Sequence, residues 1–204
     1  MEKDIQLLPG YRVNEYLLVL PPPEELWNKI VKIKARFADT YQAANARWGK
    51  PHITLAKFVQ YEMMEARIVN RLNIVGMGQR PFKIMLRDYG SFPSHTICIH
   101  VATKTPVQDL IKQVRSEGQR LMKLNDDHKP HFIMEPHLTV ARNLQPWQYE
   151  KAWADYSNRQ FTGCFIADSM LLLKRARNET AYQIVQRFAF RNLPVTTKQG
   201  ELFG

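Results

Sequence analysis

Two short stretches of the sequence share a pattern of residues that could do acid–base chemistry. "KPHITLAKF" spans residues 50–58, here called the first motif, and "EPHLTVARN" spans residues 135–143, the second motif. Each contains proline, histidine, an aliphatic residue, threonine, an aliphatic residue, alanine and then a basic residue. Two imidazoles beside one phosphorus atom can act as general acid and general base, since their reference pKa is about 6.5. The candidate catalytic groups are His52, Thr54, His137 and Thr139.

The spacing of the histidine and threonine in each motif favours a shared site. Side chains two apart in a strand point to the same face, about 6–7 Å apart along the backbone. His52 and Thr54 therefore project together while Ile53 points into a core, and the second motif repeats this arrangement. The threonine hydroxyls can donate hydrogen bonds to non-bridging phosphate oxygens as negative charge accumulates there. We expect two related strands to face one another across a cleft, with all four side chains around one small volume.

A basic residue follows each threonine by three positions. These residues are Lys57 and Arg142. An offset of three sends a side chain to the opposite face of a regular strand. Either cation reaches the candidate site only if its strand ends or bends there.

The rest of the chain must supply the elements that position the two motifs. Leu26, Ile30, Ile33 and Phe37 recur at helical spacing and predict an amphipathic helix over 23–39. Thr105 is a candidate cap for a later helix. The predicted helices span 23–39, 63–72, 105–124 and 146–156, and the predicted strands lie within 14–20, 81–101, 161–176 and 181–190 beside the two motifs.

The order of these elements in the second half repeats that of the first half. This duplication predicts an α+β protein with two pseudo-symmetric antiparallel sheets, helices on their outer faces and a central cleft. We expect a single domain of two intertwined lobes over 13–190, an N-terminal segment at 1–12 and a C-terminal tail at 191–204.

Composition is typical of a soluble globular protein, and we expect a monomer in the cytoplasm. The net charge of +10 suits an anionic partner, and no stretch is apolar enough to span a membrane or to act as a secretory signal. Cys98 and Cys164 are far apart in apolar surroundings, which predicts two buried reduced thiols. His128, His131 and His137 suggest a metal site by spacing, but no set of acidic ligands accompanies them, so we expect no metal.

The two motifs, "PHITLAKF" and "PHLTVAR", resemble those of the 2H phosphoesterase superfamily, in particular the branch of 2′-5′ RNA ligases and RNA 2′,3′-cyclic phosphodiesterases. "YLLVLPPPEEL", "YGSFPSHTICIHV" and "AYQIVQRFAF" are also similar, so the resemblance covers about residues 13–190. It implies a bilobal fold, catalysis without metal or cofactor, and substrates with a 2′,3′-cyclic phosphate or a 2′-5′ linkage. His52 and His137 would be the acid and base, and Thr54 and Thr139 would bind phosphoryl oxygens.

The resemblance also implies candidate substrate-binding residues. Arg142 and Lys57 would contact phosphate, and Phe92 or Tyr16 would stack on a base, although core packing is the alternative for both aromatics. The polar stretch at 125–134 departs from the family and lies where it would alter the edge of the cleft.

The sequence leaves the reaction open in three respects. We expect a phosphodiesterase that opens 2′,3′-cyclic phosphates of RNA ends or nucleotides, with 2′-5′ RNA ligation as a further activity. One alternative is a non-catalytic binder or sensor of RNA ends or cyclic nucleotides, and another is a ligase or hydrolase specialised for a different nucleotide metabolite. The pattern does not distinguish which histidine is acid and which is base.

Overall fold

The computed structural model describes residues 10–176 and 179–193. Within them, nine strands form one antiparallel sheet and four α-helices pack against it. The strands are β1 Val13–Leu20, β2 Ile53–Tyr61, β3 Phe82–Phe92, β4 Thr96–Val101, β5 His131–Phe132, β6 His137–Ala141, β7 Thr162–Ala167, β8 Ser169–Ala176 and β9 Gln183–Ala189. The helices are α1 Glu24–Thr40, α2 Glu65–Gly78, α3 Lys104–Met122 and α4 Pro146–Tyr156, with 3₁₀ turns at Ala44–Arg47 and Glu62–Met64.

The sheet consists of two halves, and the motif strands β6 and β2 are their inner edges. One half contains β7, β3, β4 and β6, and the other contains β2, β1, β8 and β9. The strand order is β7-β3-β4-β6-β2-β1-β8-β9, and β5 pairs with β2 beside this path. Ile53 pairs with Leu138 where β2 and β6 meet. The predicted α+β class is confirmed, and the two expected antiparallel sheets are continuous through this one pair.

Two of the helices each follow a strand of one half of the sheet in the chain but pack against the motif strand of the other half. Helix α1 follows β1 in the chain but packs against β6, while α3 follows β4 but packs against β2. The predicted apolar stripe of α1 is the buried face, since Leu26, Ile30 and Phe37 are all buried. Each motif strand is therefore covered from behind by a helix of the other half.

Several local predictions need correction. Helix α3 begins at Lys104 with Thr103 as its N-terminal flanking residue, so Thr105 lies in the first turn and does not cap it. Helix α2 continues through Gly76, whose missing side chain allows close contact with β9: a Cβ atom there would lie 3.0 Å from that of Phe188. Cys98 is buried as expected, but Cys164 is exposed.

The ends of the chain lie largely outside the described residues. Residues 1–9 of the predicted N-terminal segment and 194–204 of the predicted tail are among these. The part of the N-terminal segment that is described contacts the 3₁₀ turn before α2, where the Gly10 carbonyl accepts a hydrogen bond from the Met63 amide at 2.9 Å. No helix in the described ranges is long and apolar enough to cross a membrane.

Candidate active site

The pairing of β2 with β6 brings the four predicted catalytic side chains together. Ile53 pairs with Leu138, so continuing the antiparallel register by one residue sets His52 opposite Thr139 and Thr54 opposite His137. Directly opposed residues share a face of the sheet. All four side chains are partly exposed on that face, whereas Ile53 and Leu138 are fully buried on the other.

Both imidazoles are held in the same way. Nδ1 of His52 lies 2.7 Å from the carbonyl oxygen of Lys50, and Nδ1 of His137 lies 2.9 Å from that of Glu135. A carbonyl oxygen only accepts hydrogen bonds, so Nδ1 carries the proton and donates in each ring. Nε2 of each neutral imidazole is then the atom that is free to take up a proton.

The surroundings of His52 favour its neutral form. Burial lowers the pKa of His52, the hydrogen bond to the Lys50 carbonyl partly offsets this, and the positive charges of Lys34 and Arg142 lower it further. The net pKa of His52 lies below its ordinary value of 6.5. The ring is therefore neutral at physiological pH, which suits a general base.

A β-bulge in the first motif brings Lys57 to the candidate site. Val19 pairs with Thr54 but its neighbour Leu18 pairs with Ala56, so Leu55 is an extra residue in β2. A bulge shifts the alternation of side chains by one position. Lys57 is exposed on the face of Thr54 as a result.

The second motif contains the equivalent bulge. Cys98 pairs with Thr139 and Ile97 pairs with Ala141, so Val140 is the extra residue in β6. Arg142 is exposed just beyond this bulge, and its charge acts on His52. The bend that both cations needed to reach the site is thus present in both motif strands.

The two candidate aromatic residues lie in different environments. The ring of Phe92 contacts the imidazole of His137, with centroids 4.7 Å apart and planes tilted by 58°. Tyr16 has no exposed surface, stacks on Phe58 at 5.0 Å and donates its hydroxyl hydrogen bond to Glu65 at 3.1 Å. The suggestion that Tyr16 stacks on a substrate base is therefore wrong, and its role is core packing.

The polar stretch at 125–134 forms one edge of the candidate site. Its strand β5 pairs with the outer part of β2, where His131 lies opposite Lys57. The ring of His128 instead contacts Asn125 at 2.9 Å. Over residues 10–176 and 179–193, no group of three histidine, cysteine or acidic side chains is arranged to hold a metal ion.

Sequence reasoning assigned no role to three residues that lie on this face or directly behind it. His100 pairs directly with His137, and its ring lies over Gly90, where a Cβ atom would be 2.1 Å from Nε2. Glu15 accepts hydrogen bonds from Arg175 and from Tyr182. The third residue is a buried lysine in α1, Lys34.

The carboxylate of Glu15 also lies near enough to Lys57 for the charge of the lysine to affect its pKa. Burial raises the pKa of Glu15, but the bond and charge of Arg175, the hydroxyl of Tyr182 and the charge of Lys57 outweigh it, so the net pKa is lowered. The carboxylate is thus ionised among cations beside the site. Strand alternation marks Glu15 and His100 as polar positions on one face, but only the pairing of strands shows that this face is the site.

Comparison with known proteins identifies the family. A sequence profile described as the 2′-5′ RNA ligase superfamily matches residues 22–179, which is more than half of the chain. The chain therefore belongs to the 2′-5′ RNA ligase superfamily. This confirms the resemblance to 2H phosphoesterases and indicates a phosphoesterase or RNA-ligase-like enzyme.

Several solved structures share the fold of this chain at low sequence identity. LigT of E. coli in complex with 3′-AMP is 17% identical, with a TM-score of 0.60, and the match covers 88% of this chain and 98% of LigT. TT0787 of Thermus thermophilus is 17% identical, with a TM-score of 0.58 over 87% of this chain and 98% of its own. A structure titled as a phosphoesterase is 18% identical, with a TM-score of 0.55 over the same shares. A search of curated proteins gave no match.

Proposed function

We propose that the protein is a phosphodiesterase that opens the 2′,3′-cyclic phosphate of RNA ends or nucleotides by attack of water, without a metal ion. The observation that carries this proposal is the placement of two equivalent histidines on paired strands, each with Nδ1 bound to a carbonyl and Nε2 available. Simple phosphate binding needs no such pair, since arginine and backbone amides bind phosphate well.

The proposed reaction transfers two protons, one from the attacking water to His52 and one from His137 to the leaving oxygen. Nε2 of neutral His52 takes a proton from water as the water oxygen bonds to phosphorus. The bond from phosphorus to the 3′ oxygen breaks, and Nε2 of protonated His137 gives this oxygen its proton. The product carries a 2′-phosphate. The lowered pKa of His52 supports its assignment as the base.

The remaining groups stabilise charge on the phosphoryl oxygens. Thr54 and Thr139 donate hydrogen bonds to the non-bridging oxygens, on which negative charge increases in the transition state. Arg142 and Lys57 supply positive charge from the same face of the sheet. Phe92, which packs on the ring of His137, restricts how that imidazole can tilt.

A nucleotide substrate is supported by the surroundings of Arg142 and by relatives. A cavity of about 240 Å³ is lined by Arg142 together with several residues that have amide side chains, among them Gln42, Asn45, Asn143 and Gln145. Amides offer both donors and acceptors, as base edges require. LigT of E. coli has been crystallised with 3′-AMP, NADP+ and ATP. The net charge of +10 favours encounter with such anions.

A substrate screen with chelator present tests the proposal. The panel contains 2′,3′-cyclic mononucleotides, 2′-5′-linked dinucleotides and an RNA that ends in a cyclic phosphate. We expect hydrolysis of the cyclic phosphates to 2′-phosphates, with activity retained in the chelator. Loss of activity that zinc or manganese restores would contradict the metal-independent reaction.

RNA ligation is a second candidate activity, favoured by membership of the 2′-5′ RNA ligase superfamily. The same groups suffice, because a 5′-hydroxyl can replace water as the attacking oxygen and His52 can accept its proton. Incubating the cyclic-phosphate RNA with a 5′-hydroxyl RNA distinguishes the two outcomes by product length. Tight binding of the RNA with neither product would instead indicate the non-catalytic alternative.

A further inference from the structure

Lys34 is a buried lysine that the proposed reaction does not use. It lies on the sheet-facing side of α1 between the turns of Ile30 and Phe37, and only 6% of its surface is exposed. Its Nζ donates a hydrogen bond to the carbonyl oxygen of Val140 at 3.2 Å. A charged ammonium is costly to bury without such a partner. The buried side of α3, the corresponding helix of the other half, contains no lysine or arginine.

The bond from Lys34 satisfies the bulge of the second motif. Val140 is the extra residue of that bulge, and a bulged residue is left unpaired by the ladder. The equivalent residue in the first motif is Leu55, whose carbonyl accepts a hydrogen bond from the backbone amide of Ile133 at 2.9 Å. The carbonyl of the bulged residue thus has a hydrogen-bond donor in both motifs. The donor is the backbone beside β5 in the first motif and the Lys34 side chain in the second.

Lys34 also acts on the charges of the site. Burial and then the charge of Arg142 lower the pKa of Lys34 to about 8. Lys34 lowers the pKa of His52 in turn, as do Arg142 and His137. The ammonium is bonded to the carbonyl of Val140, the residue after Thr139, which lies opposite His52. Its charge therefore lies near both the proposed base and Arg142, and the group is mostly charged at neutral pH.

We propose that Lys34 is a positioning residue for the second motif. By holding the Val140 carbonyl, it fixes the bulge that turns Arg142 to the site, and its charge keeps the adjacent His52 in the form that accepts a proton. Its catalytic consequence rests on the proposed phosphodiesterase reaction, whereas its effect on His52 does not.

Replacement of Lys34 tests both parts of this inference. Lys34→Met removes the charge and the donor but keeps an apolar chain of similar length. We expect kcat/KM for a 2′,3′-cyclic nucleotide to fall by about 10²-fold, the scale of a misplacement of roughly 1 Å at the reacting groups. Because Arg142 also binds phosphate in the ground state, KM should rise as well as kcat fall. The imidazole resonance of His52, followed by NMR against pH, should titrate at higher pH than in the wild type.

Matched variants separate positioning from general effects. Lys32→Met removes the same charge from an exposed position on α1 and should leave kcat/KM and the His52 titration unchanged. Lys34→Gln, which keeps a polar head group, should also raise the pKa of His52, and it decides the question if Lys34→Met does not fold. Folded Lys34 variants that match Lys32→Met in both measurements would overturn the inference. If the wild type hydrolyses none of the substrates but the His52 titration still shifts in the Lys34 variants, the charge effect is upheld and only the phosphodiesterase proposal is rejected.

Discussion

Each candidate histidine is fixed by a carbonyl two residues before it in the chain. Lys50 provides that carbonyl for His52 and Glu135 provides it for His137. The prolines between them, Pro51 and Pro136, have no amide hydrogen and restrict the backbone to one φ region. The motif therefore specifies both the tautomer and the direction of the ring, which explains why proline precedes histidine in both copies.

Removal of either imidazole tests the proposed acid–base pair. His52→Ala and His137→Ala should each lower kcat by about 10²-fold or more, since general acid–base help contributes about 10²–10⁴-fold. His128→Ala provides a matched control, because its ring is exposed and bonds to Asn125. Hydrolysis of a cyclic mononucleotide under steady-state conditions measures the effect. Turnover near that of the control in either variant would refute the paired role.

At the scale of the element, the two bulges decide which side chains belong to the site. A regular β6 would direct Arg142 away from Thr139, whereas the extra residue Val140 restores it to the same face. The same holds for Lys57 and Leu55 in β2. A bulge adds one residue to one strand of a pair, so the side chains beyond it lie on the face opposite to that given by regular alternation.

Replacement of Arg142 should change both substrate affinity and pH dependence. Arg142→Gln should raise KM about tenfold or more, since a charge-assisted hydrogen bond contributes about 1.5–3 kcal/mol. His52 must be neutral to act as base, so kcat/KM falls as pH drops through its pKa, which lies below 6.5. Loss of the Arg142 charge raises that pKa, and the acidic limb of the profile should move to higher pH.

The control for this change is Arg67→Gln, which removes an exposed arginine from α2. It should leave both KM and the acidic limb in place. An acidic limb that does not move in Arg142→Gln would show that the arginine does not act on the base.

Elements with strong local signals could be predicted from sequence, whereas those that depend on pairing could not. Helix α4 begins at Pro146 and ends at Tyr156 as predicted, and α1 agrees to within one residue at each end. The bulges at Leu55 and Val140 depend on which strand lies alongside, and the sequence does not encode this locally. Lys34 was missed for a similar reason, because a lysine in an apolar stripe has meaning only once its acceptor is known.

At the scale of the whole molecule, the two halves are linked through their middle. Helices α1 and α3 each cover a motif strand of the opposite half, and Ile53 and Leu138 pair where the halves meet. Neither half can bury its own motif strand with its own helix. We therefore expect the described domain to unfold as one cooperative unit.

Shortening the side chain of Leu138, where the two halves of the sheet pair, tests whether the halves unfold together. Leu138 is fully buried, so Leu138→Ala should lower the free energy of unfolding by about 2–5 kcal/mol. Leu193→Ala, at a position 48% exposed, should change it by no more than about 0.5 kcal/mol. Denaturant titration followed by tryptophan fluorescence and by circular dichroism measures both. Two separated transitions in the wild type would contradict a single unit.

The direct pairing of β2 with β6 also determines what has to move during a catalytic cycle. Both imidazoles are attached to neighbouring strands of one sheet, so their separation is maintained by main-chain geometry and not by a hinge. Such a preassembled frame loses little energy to rearrangement when the phosphate arrives. For the proposed reaction we therefore expect substrate entry, bond breaking or product departure, and not a closing motion of one lobe upon the other, to limit turnover.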